Sequence, residues 1–181
     1  MPGLQEFLVN SSDDLQKVIQ IGNERRTVAA TGANQASSRS HAILIINSET
    51  HAKEKEKADV TPKAKISRFS KLQIVDLAGS ERAQASDNRG QRMVEGANIN
   101  KSLLALGNCI NSLSERAGST FQNNFVGYRD SKLTRLLKDS LGGNTRTIML
   151  VCISQFYKAY EETLNTLKYA QRASKIKNTV T

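Results

Sequence analysis

The chain has 181 residues, enough for one domain that buries a sizeable core. Its hydrophobic fraction of 38% and charged fraction of 24% are ordinary for a soluble globular protein, and no apolar run reaches the roughly 18 residues that a membrane-spanning helix needs. The net charge of +9 favours a polyanionic partner, which could be nucleic acid, an anionic membrane or an acidic protein surface. Because aromatic residues make up only 5%, single-stranded nucleic acid is not the favoured choice.

The two cysteines and the amino-terminal residues indicate the cellular compartment of the protein. Cys109 and Cys152 each lie in an apolar segment. We expect both to be packed thiols of a reducing compartment rather than a disulfide or a metal pair. The first residues lack a basic region followed by an apolar core, so no secretory signal is predicted.

The first part of the chain predicts a strand, a helix and a buried strand. Residues 4–9 form a short candidate strand, and residues 11–14 resemble a capping box that begins a helix extending to about Gly22. Residues 23–36 predict a loop or a mobile helix end. An apolar strand is predicted at residues 42–46.

A polar segment, residues 34–41 (Asn-Gln-Ala-Ser-Ser-Arg-Ser-His), leads directly into that strand. Hydroxyl side chains can ligate Mg²⁺ or donate to phosphate oxygens, and Arg39 offers a charged fork. Serine and asparagine also favour turns for local hydrogen-bonding reasons, so a turn without chemistry explains the segment equally well.

A second apolar strand, residues 72–75, ends at a lone carboxylate, Asp76, with Gly79 shortly after. In open α/β sheets ligands bind at the carboxyl ends of strands, and an acidic residue there holds Mg²⁺ in many nucleoside triphosphatases. A glycine lets a backbone N–H approach a phosphate closely. By itself this pattern is more often a polar turn after a strand. Residues 51–67, rich in Lys and Glu, predict a solvated connection between the two strands.

A long helix is predicted after a polar loop at residues 82–92. It runs from residue 95 to 113, and its apolar stripe consists of Ile99, Leu103, Leu106, Ile110 and Leu113. Such a stripe is typical of a core-facing helix. Residues 114–126 predict a loop.

A second helix, at residues 130–141, separates apolar from basic side chains. Its apolar face consists of Leu133, Leu136, Leu137 and Leu141, and its basic face of Lys132, Arg135 and Lys138. A buried strand is then predicted at residues 147–153 and a last helix at 160–176, with Tyr160, Leu164, Leu167 and Ala170 facing inward.

Five segments, in this order, resemble motifs of the kinesin motor domain. Residues 34–41 resemble switch I, and residues 76–81 (Asp-Leu-Ala-Gly-Ser-Glu) resemble switch II. Residues 98–108 resemble the long helix after switch II, residues 128–144 the next microtubule-facing helix and its turn, and residues 166–180 the final helix and the start of the neck linker. Residues 88–97 most resemble the kinesin-8 group.

The resemblance implies an α/β fold, a kinesin-type central sheet related to P-loop NTPases, with flanking helices. We expect one partial motor domain over residues 1–181, lacking its amino-terminal half and with the neck linker beginning at about 175–181. It implies a motor that couples hydrolysis of ATP with Mg²⁺ to movement along, or action on, microtubules in the cytoplasmic cytoskeleton. The full-length protein is expected to be a homodimer with a coiled coil, and neither a membrane nor nucleic acid is the expected partner.

Site residues follow from the matching motif positions. Ser37 and Ser38 would face the γ-phosphate and Mg²⁺, Asp76 would hold Mg²⁺ through water, and the Gly79 N–H would contact the γ-phosphate. Arg39 and Glu81 would pair when ATP is bound and align the attacking water. The implied nucleotide-binding set is Asn34, Ser37, Ser38, Asp76 and Gly79, with Ser38 and Asp76 on the metal side. The implied microtubule-binding set is Lys101, Arg129, Lys132, Arg135 and Lys138.

The sequence also departs from the family pattern. The Gly-x-x-x-x-Gly-Lys-[Ser/Thr] loop that cradles phosphates is absent from these 181 residues, so a non-catalytic microtubule-binding fragment of a truncated kinesin is the alternative function. Gly127 stands where kinesins usually have proline, which we expect to loosen the entry to the basic helix. A basic nucleic-acid binder is a third option, supported by charge alone.

Overall fold

The computed structural model describes residues 4–28, 40–51, 67–79, 91–118 and 125–178. The chain separates into two compact units, Met1–Gly79 and Ser80–Thr181. Within the described ranges, no helix is both long and apolar enough to cross a bilayer.

Helix α1, Ser12–Val28, begins where the capping pattern predicts. The Asp14 N–H donates to Ser11 Oγ over 3.2 Å, and the Asn10 N–H donates to Asp14 Oδ2 over 3.3 Å. The sequence predicts a loop or a helix end at residues 23–36, and as far as Val28 they are a helix end, because α1 continues past Gly22. Acidic residues in its first turn and basic ones in its last turn complement the helix dipole, which supports the longer helix. The predicted strand at residues 4–9 does not form, since no described strand pairs with it.

Strands β1, Ala42–His51, and β2, Ser67–Asp76, form an antiparallel two-stranded sheet. Ala42 lies opposite Asp76, and His51 lies opposite Ser67. Both strands form where the sequence predicts them, and both are longer than predicted. Their polar halves pair through backbone groups, which an apolar pattern does not reveal.

Helix α2, Gln91–Gly118, forms the centre of the carboxyl-terminal unit and is longer than predicted at both ends. Leu106, Ile110 and Leu113 from its predicted stripe are buried, together with Ala105 and Cys109. This spacing places one helical face against α3, α4 and α5. The core role of the stripe is confirmed for these three stripe residues, while Ile99 and Leu103 are half-buried.

The single helix predicted at 130–141 is wrong, because the chain forms two short helices there. These are α3, Lys132–Leu136, and α4, Lys138–Gly142, with Leu137 between them at φ −88° and ψ 2°. The break preserves the predicted faces, because Leu133 and Leu137 are buried while Lys132 and Lys138 are exposed. Neither glycine nor proline marks the break in the sequence.

The buried strand predicted at 147–153 is wrong for the described residues. No described strand pairs with this segment, and Ile148 and Leu150 are 82% and 87% exposed. Cys152 is exposed with it, so the prediction of two packed thiols is right for Cys109 and wrong for Cys152. A strand's backbone polar groups need a partner strand, and here none is described.

A 3₁₀ turn, Tyr157–Ala159, leads into helix α5, Tyr160–Ala173. Its predicted inward face is shifted. Tyr160, Leu164 and Leu167 are exposed, whereas Tyr169 is half-buried. A Cβ at Gly107 of α2 would lie 3.4 Å from the Tyr169 ring, an ordinary van der Waals distance, so the two helices are neighbours at this point.

Hydrogen bonds attach the end of α5 and the residues that follow it to α2 and α4. The Arg172 guanidinium donates to Asn111 Oδ1 over 2.8 Å, joining α5 to α2. Beyond α5, Asn178 Nδ2 donates to the carbonyl oxygens of Ser140 and Thr145 over 3.1 and 3.0 Å. The chain after α5 is therefore tied to the end of α4.

Candidate functional site

In the amino-terminal unit, polar side chains meet where β1 begins and β2 ends. Arg26, from the last turn of α1, donates from Nε to Ser40 Oγ over 2.9 Å and from Nη2 to the Ser40 carbonyl over 2.8 Å. Its Nη1 donates to Asp76 Oδ2 over 2.8 Å. The antiparallel register, which sets Ala42 opposite Asp76, brings these residues together.

The two members of this ion pair differ in exposure. The Arg26 side chain is 15% exposed and that of Asp76 is 68% exposed. The guanidinium is held on several sides, so it fixes one carboxylate oxygen. Asp76 Oδ1 has no protein partner in the described part of the chain. An open, oriented carboxylate oxygen is the hard ligand that Mg²⁺ prefers, so Asp76 fits the metal-side role that the kinesin resemblance implies.

His41, which the sequence reasoning did not single out, fixes the turn after β2. The Ala78 N–H donates to His41 Nδ1 over 3.0 Å, and Ala78 is 4% exposed. This bond needs an unprotonated Nδ1. Burial, followed by the nearby Arg26 charge, lowers the pKa of His41, while Asp76 opposes the shift. The neutral imidazole therefore holds the turn that carries Gly79.

Sequence reasoning missed Arg26 and His41 for different reasons. His41 lies inside the switch I-like segment directly before β1, so its position was a usable signal. Arg26 is one basic residue in a helix end, and nothing in the sequence indicates its contact with Asp76.

The other predicted nucleotide-site residues lie outside the described part of the chain. These are Asn34, Ser37, Ser38, Arg39 and Glu81. Their roles stay predictions, as does the ATP-dependent pairing of Arg39 with Glu81.

In the carboxyl-terminal unit, every predicted microtubule-binding cation is exposed. Lys101 lies on α2, Arg129 precedes α3, Lys132 and Arg135 lie on α3, and Lys138 begins α4. Leu133 and Leu137 anchor the opposite side in the core. We call Arg129, Lys132, Arg135 and Lys138 the basic face.

A buried hydrogen-bond network lies beneath the basic face. Thr134 is fully buried, and its Oγ1 accepts from the Ser131 N–H over 3.1 Å. The Thr134 N–H donates to Ser131 Oγ over 3.0 Å, which completes a capping box at the start of α3. Thr134 Oγ1 also lies 3.0 Å from the Tyr128 carbonyl and 2.9 Å from Ser131 Oγ.

Gly127 does not leave the entry to α3 loose. The Tyr128 N–H donates to the Val126 carbonyl over 2.8 Å, and the Asp130 N–H donates to the Gly127 carbonyl over 3.1 Å. The Asp130 carboxylate occupies the space that a Cβ at Gly127 would need. The missing side chain is therefore used to accommodate Asp130 in a closed turn, contrary to the expected loosening.

Residues 1–176 match the family model described as the kinesin motor domain. The chain belongs to the kinesin motor domain family. It is 52% identical over 181 residues to Kinesin-like protein 6 of Schizosaccharomyces pombe, covering 99% of this chain and 23% of that protein. It is 54% identical over 172 residues to KIP3 of Saccharomyces cerevisiae, covering 94% of this chain and 20% of that protein.

Other kinesins extend the comparison. KIF19 of Homo sapiens is 49% identical over 178 residues, covering 98% of this chain and 17% of that protein. A structure of a KIF14 dimer in the two-heads-bound state, with AMP-PNP and in complex with a microtubule, superimposes with a TM-score of 0.83 at 41% identity. That superposition covers 99% of this chain and 48% of the KIF14 chain.

These comparisons confirm the resemblance and the fold class. KIP3 and KIF19 are kinesin-8 members, so the similarity to that group is confirmed as well. The described helices and the small antiparallel sheet agree with part of an α/β kinesin fold. The chain spans about a fifth of the length of these three relatives, from 17% to 23%.

Proposed function

We propose that this chain is the part of a microtubule motor that responds to the γ-phosphate of ATP and binds the microtubule. The exposed basic face on a buried apolar anchor carries this proposal. Lys132, Arg135 and Lys138 point away from a core that holds Leu133 and Leu137. The KIF14 structure, which is similar to this chain over 99% of its length, was determined in complex with a microtubule and with AMP-PNP.

Electrostatics favours the same partner. The net charge of +9 attracts an acidic surface at long range, and tubulin supplies one. Exposed cations contribute to such an interface mainly through association rate and salt dependence. Microtubule binding by the basic face should therefore weaken steeply as ionic strength rises.

The polar cluster of the amino-terminal unit supports the nucleotide half of the proposal. Asp76 offers its unpaired oxygen to Mg²⁺ while Arg26 fixes the other oxygen. His41 holds the following turn, in which the Gly79 N–H is the proposed donor to the γ-phosphate. Mg²⁺, when bound, neutralises charge on the transferred phosphoryl group. Ser37, Ser38, Arg39 and Glu81 complete the proposed site.

Charge reversal tests the microtubule half. We expect Lys132→Glu with Arg135→Glu to weaken co-sedimentation of the chain with microtubules at low salt by about tenfold or more. Lys158→Glu with Lys168→Glu is the matched control, because both lysines are exposed and the change in net charge is the same. Equal losses in the two double variants would show that net charge alone drives binding. Unchanged sedimentation of the first would remove the basic face from the interface.

A second function, a non-catalytic microtubule-binding fragment, is favoured by the missing phosphate loop. Both functions predict co-sedimentation, so microtubule-stimulated ATP turnover separates them.

We further propose that the complete protein is a homodimer in the cytoplasmic microtubule cytoskeleton. The KIF14 structure is a dimer. Equal binding to duplex DNA and to microtubules would favour the nucleic-acid alternative.

A further inference from the structure

We propose that Thr134 is a positioning residue for the basic face. Its buried hydroxyl sets the spacing of the cations, and that spacing, beyond their number, determines recognition of the microtubule. The inference rests on the proposed function. It explains why the basic face would bind acidic groups at fixed positions on a microtubule more selectively than a flexible polyanion.

Thr134 is unusual in its burial. Within the described ranges it is the one polar or charged side chain that is buried, with 0% exposure. A buried hydroxyl costs stability unless its hydrogen bonds are made. Here Oγ1 accepts from the Ser131 N–H and has the carbonyls of Tyr128 and Ser131 as acceptors at 3.0 and 3.1 Å. The hydroxyl therefore has both a donor and acceptors within hydrogen-bond distance.

The members of this network share one relationship to the cations. Tyr128, Ser131 and Thr134 each stand directly before a cation in the chain. The cations that follow them are, respectively, Arg129, Lys132 and Arg135. One hydroxyl thus fixes the backbone next to three charges that lie on both sides of a turn.

Geometry and charge number predict different binding behaviour. A flexible polyanion such as heparin adapts to the cations and responds mainly to their number. A microtubule presents acidic groups at fixed positions, so it also responds to how the cations are spaced. Loosening the network at constant charge should therefore weaken microtubule binding and leave heparin binding unchanged.

The experiment compares Thr134→Val, which keeps the shape and loses the hydroxyl, with Thr134→Ser, which keeps the hydroxyl. We expect Thr134→Val to weaken microtubule affinity about fivefold, because binding must then order the loosened backbone at a cost comparable to one hydrogen bond, with an unchanged salt concentration for elution from heparin. Thr134→Ser should restore affinity to within about twofold of the unmodified chain. Thermal melting identifies variants that remain folded.

Each result bears on one proposal. If the unmodified chain does not co-sediment with microtubules, the proposed function fails. If it does, and folded Thr134→Val binds equally well, only the positioning role fails. Equal losses on heparin and microtubules would also overturn that role, because they would indicate a general loss of structure. Should Thr134→Val not fold, Ser131→Ala removes the Ser131 hydroxyl from the network, and the same selective loss of microtubule binding is required.

Discussion

The guanidinium of Arg26 joins Ser40, at the entrance to β1, to Asp76, at the exit from β2. Bonds of 2.8 to 2.9 Å connect it to the Ser40 side chain, the Ser40 carbonyl and the Asp76 carboxylate. A residue from helix α1 thus links the end of the switch I-like segment, residues 34–41, to the first residue of the switch II-like segment, residues 76–81. Together with the bond from the Ala78 N–H to His41 Nδ1, this contact joins the two segments through side chains.

Removing this link should destabilise the amino-terminal unit. We expect Arg26→Met to lower its free energy of unfolding by about 1–3 kcal/mol, because it removes the charged donor to the half-buried Ser40 hydroxyl and carbonyl. Urea unfolding followed by circular dichroism measures the change. Arg25→Met is the control, since exposed Arg25 bonds to Gln5 and its loss should cost less than about 0.5 kcal/mol. Equal costs would argue against a special role for Arg26.

The stability of the same unit should depend on the protonation of His41. Burial and Arg26 lower its pKa from 6.5, so the unfolded chain binds a proton more readily than the folded chain. The stabilisation is complete above about pH 6.5 and decreases as the pH falls from there towards the lowered folded pKa. Urea unfolding at pH 7.5 and pH 5.5 should show the loss. His41→Asn, whose Oδ1 can accept the Ala78 N–H without titrating, should reduce this pH dependence, and an unchanged dependence would assign it to other groups.

Gly142 should tolerate no side chain while Tyr128 keeps its hydroxyl. A Cβ there would lie 2.7 Å from Tyr128 Oη and 3.0 Å from Leu113 Cδ2. We expect Gly142→Ala to destabilise the carboxyl-terminal unit by about 1–3 kcal/mol, measured by thermal or urea unfolding. Adding Tyr128→Phe should recover part of this loss, and a double-mutant cycle measures how much. Gly118→Ala, with nothing within 4 Å of the new Cβ, should change stability by less than about 0.5 kcal/mol.

The two cysteines should react with thiol reagents at different rates. Cys109 is buried, and burial, reinforced by Asp130, raises the pKa of its thiol, so it stays protonated and inaccessible. Cys152 is exposed. In the folded chain we expect one thiol to react promptly with iodoacetamide and the second only after denaturation, with peptide mapping assigning the first to Cys152. Prompt modification of Cys109 would show that the α2 core opens readily.

The 181-residue chain should hydrolyse ATP at a negligible rate, with or without microtubules. Asp76 and the switch segments contact the γ-phosphate side in our proposal, but the loop that cradles the remaining phosphates has no counterpart in these residues. A phosphate-release assay with saturating microtubules measures this. Stoichiometric nucleotide binding with microtubule-stimulated turnover would overturn the prediction.

The sequence predicted those features that depend on periodicity and short motifs. The stripe of α2 and the opposing faces around Leu133 and Lys132 are confirmed, because burial follows the helical repeat directly. The kinesin family is confirmed because its motifs are short, ordered and specific. The basic face could likewise be predicted as exposed, though its binding role stays a proposal.

Other features depend on contacts that one-dimensional patterns do not encode. The break at Leu137 occurs without glycine or proline, and the Arg26–Asp76 pair joins residues that are 50 positions apart. The apolar run at 147–153 has the composition of a strand but no described partner, and pairing is a property of two segments. The polar halves of β1 and β2 are the converse case, in which pairing extends strands beyond their apolar residues.

The amide of Asn178 has a mechanical consequence. Asn178 Nδ2 donates hydrogen bonds to the carbonyls of Ser140 and Thr145. Tension applied to the chain after Asn178 therefore does not act on α5 alone. The load divides, and one share reaches the end of α4, the short helix that starts at Lys138. Tension on the carboxyl terminus of this unit would therefore strain the residues beneath the basic face, and a load on the basic face would in turn reach the carboxyl terminus.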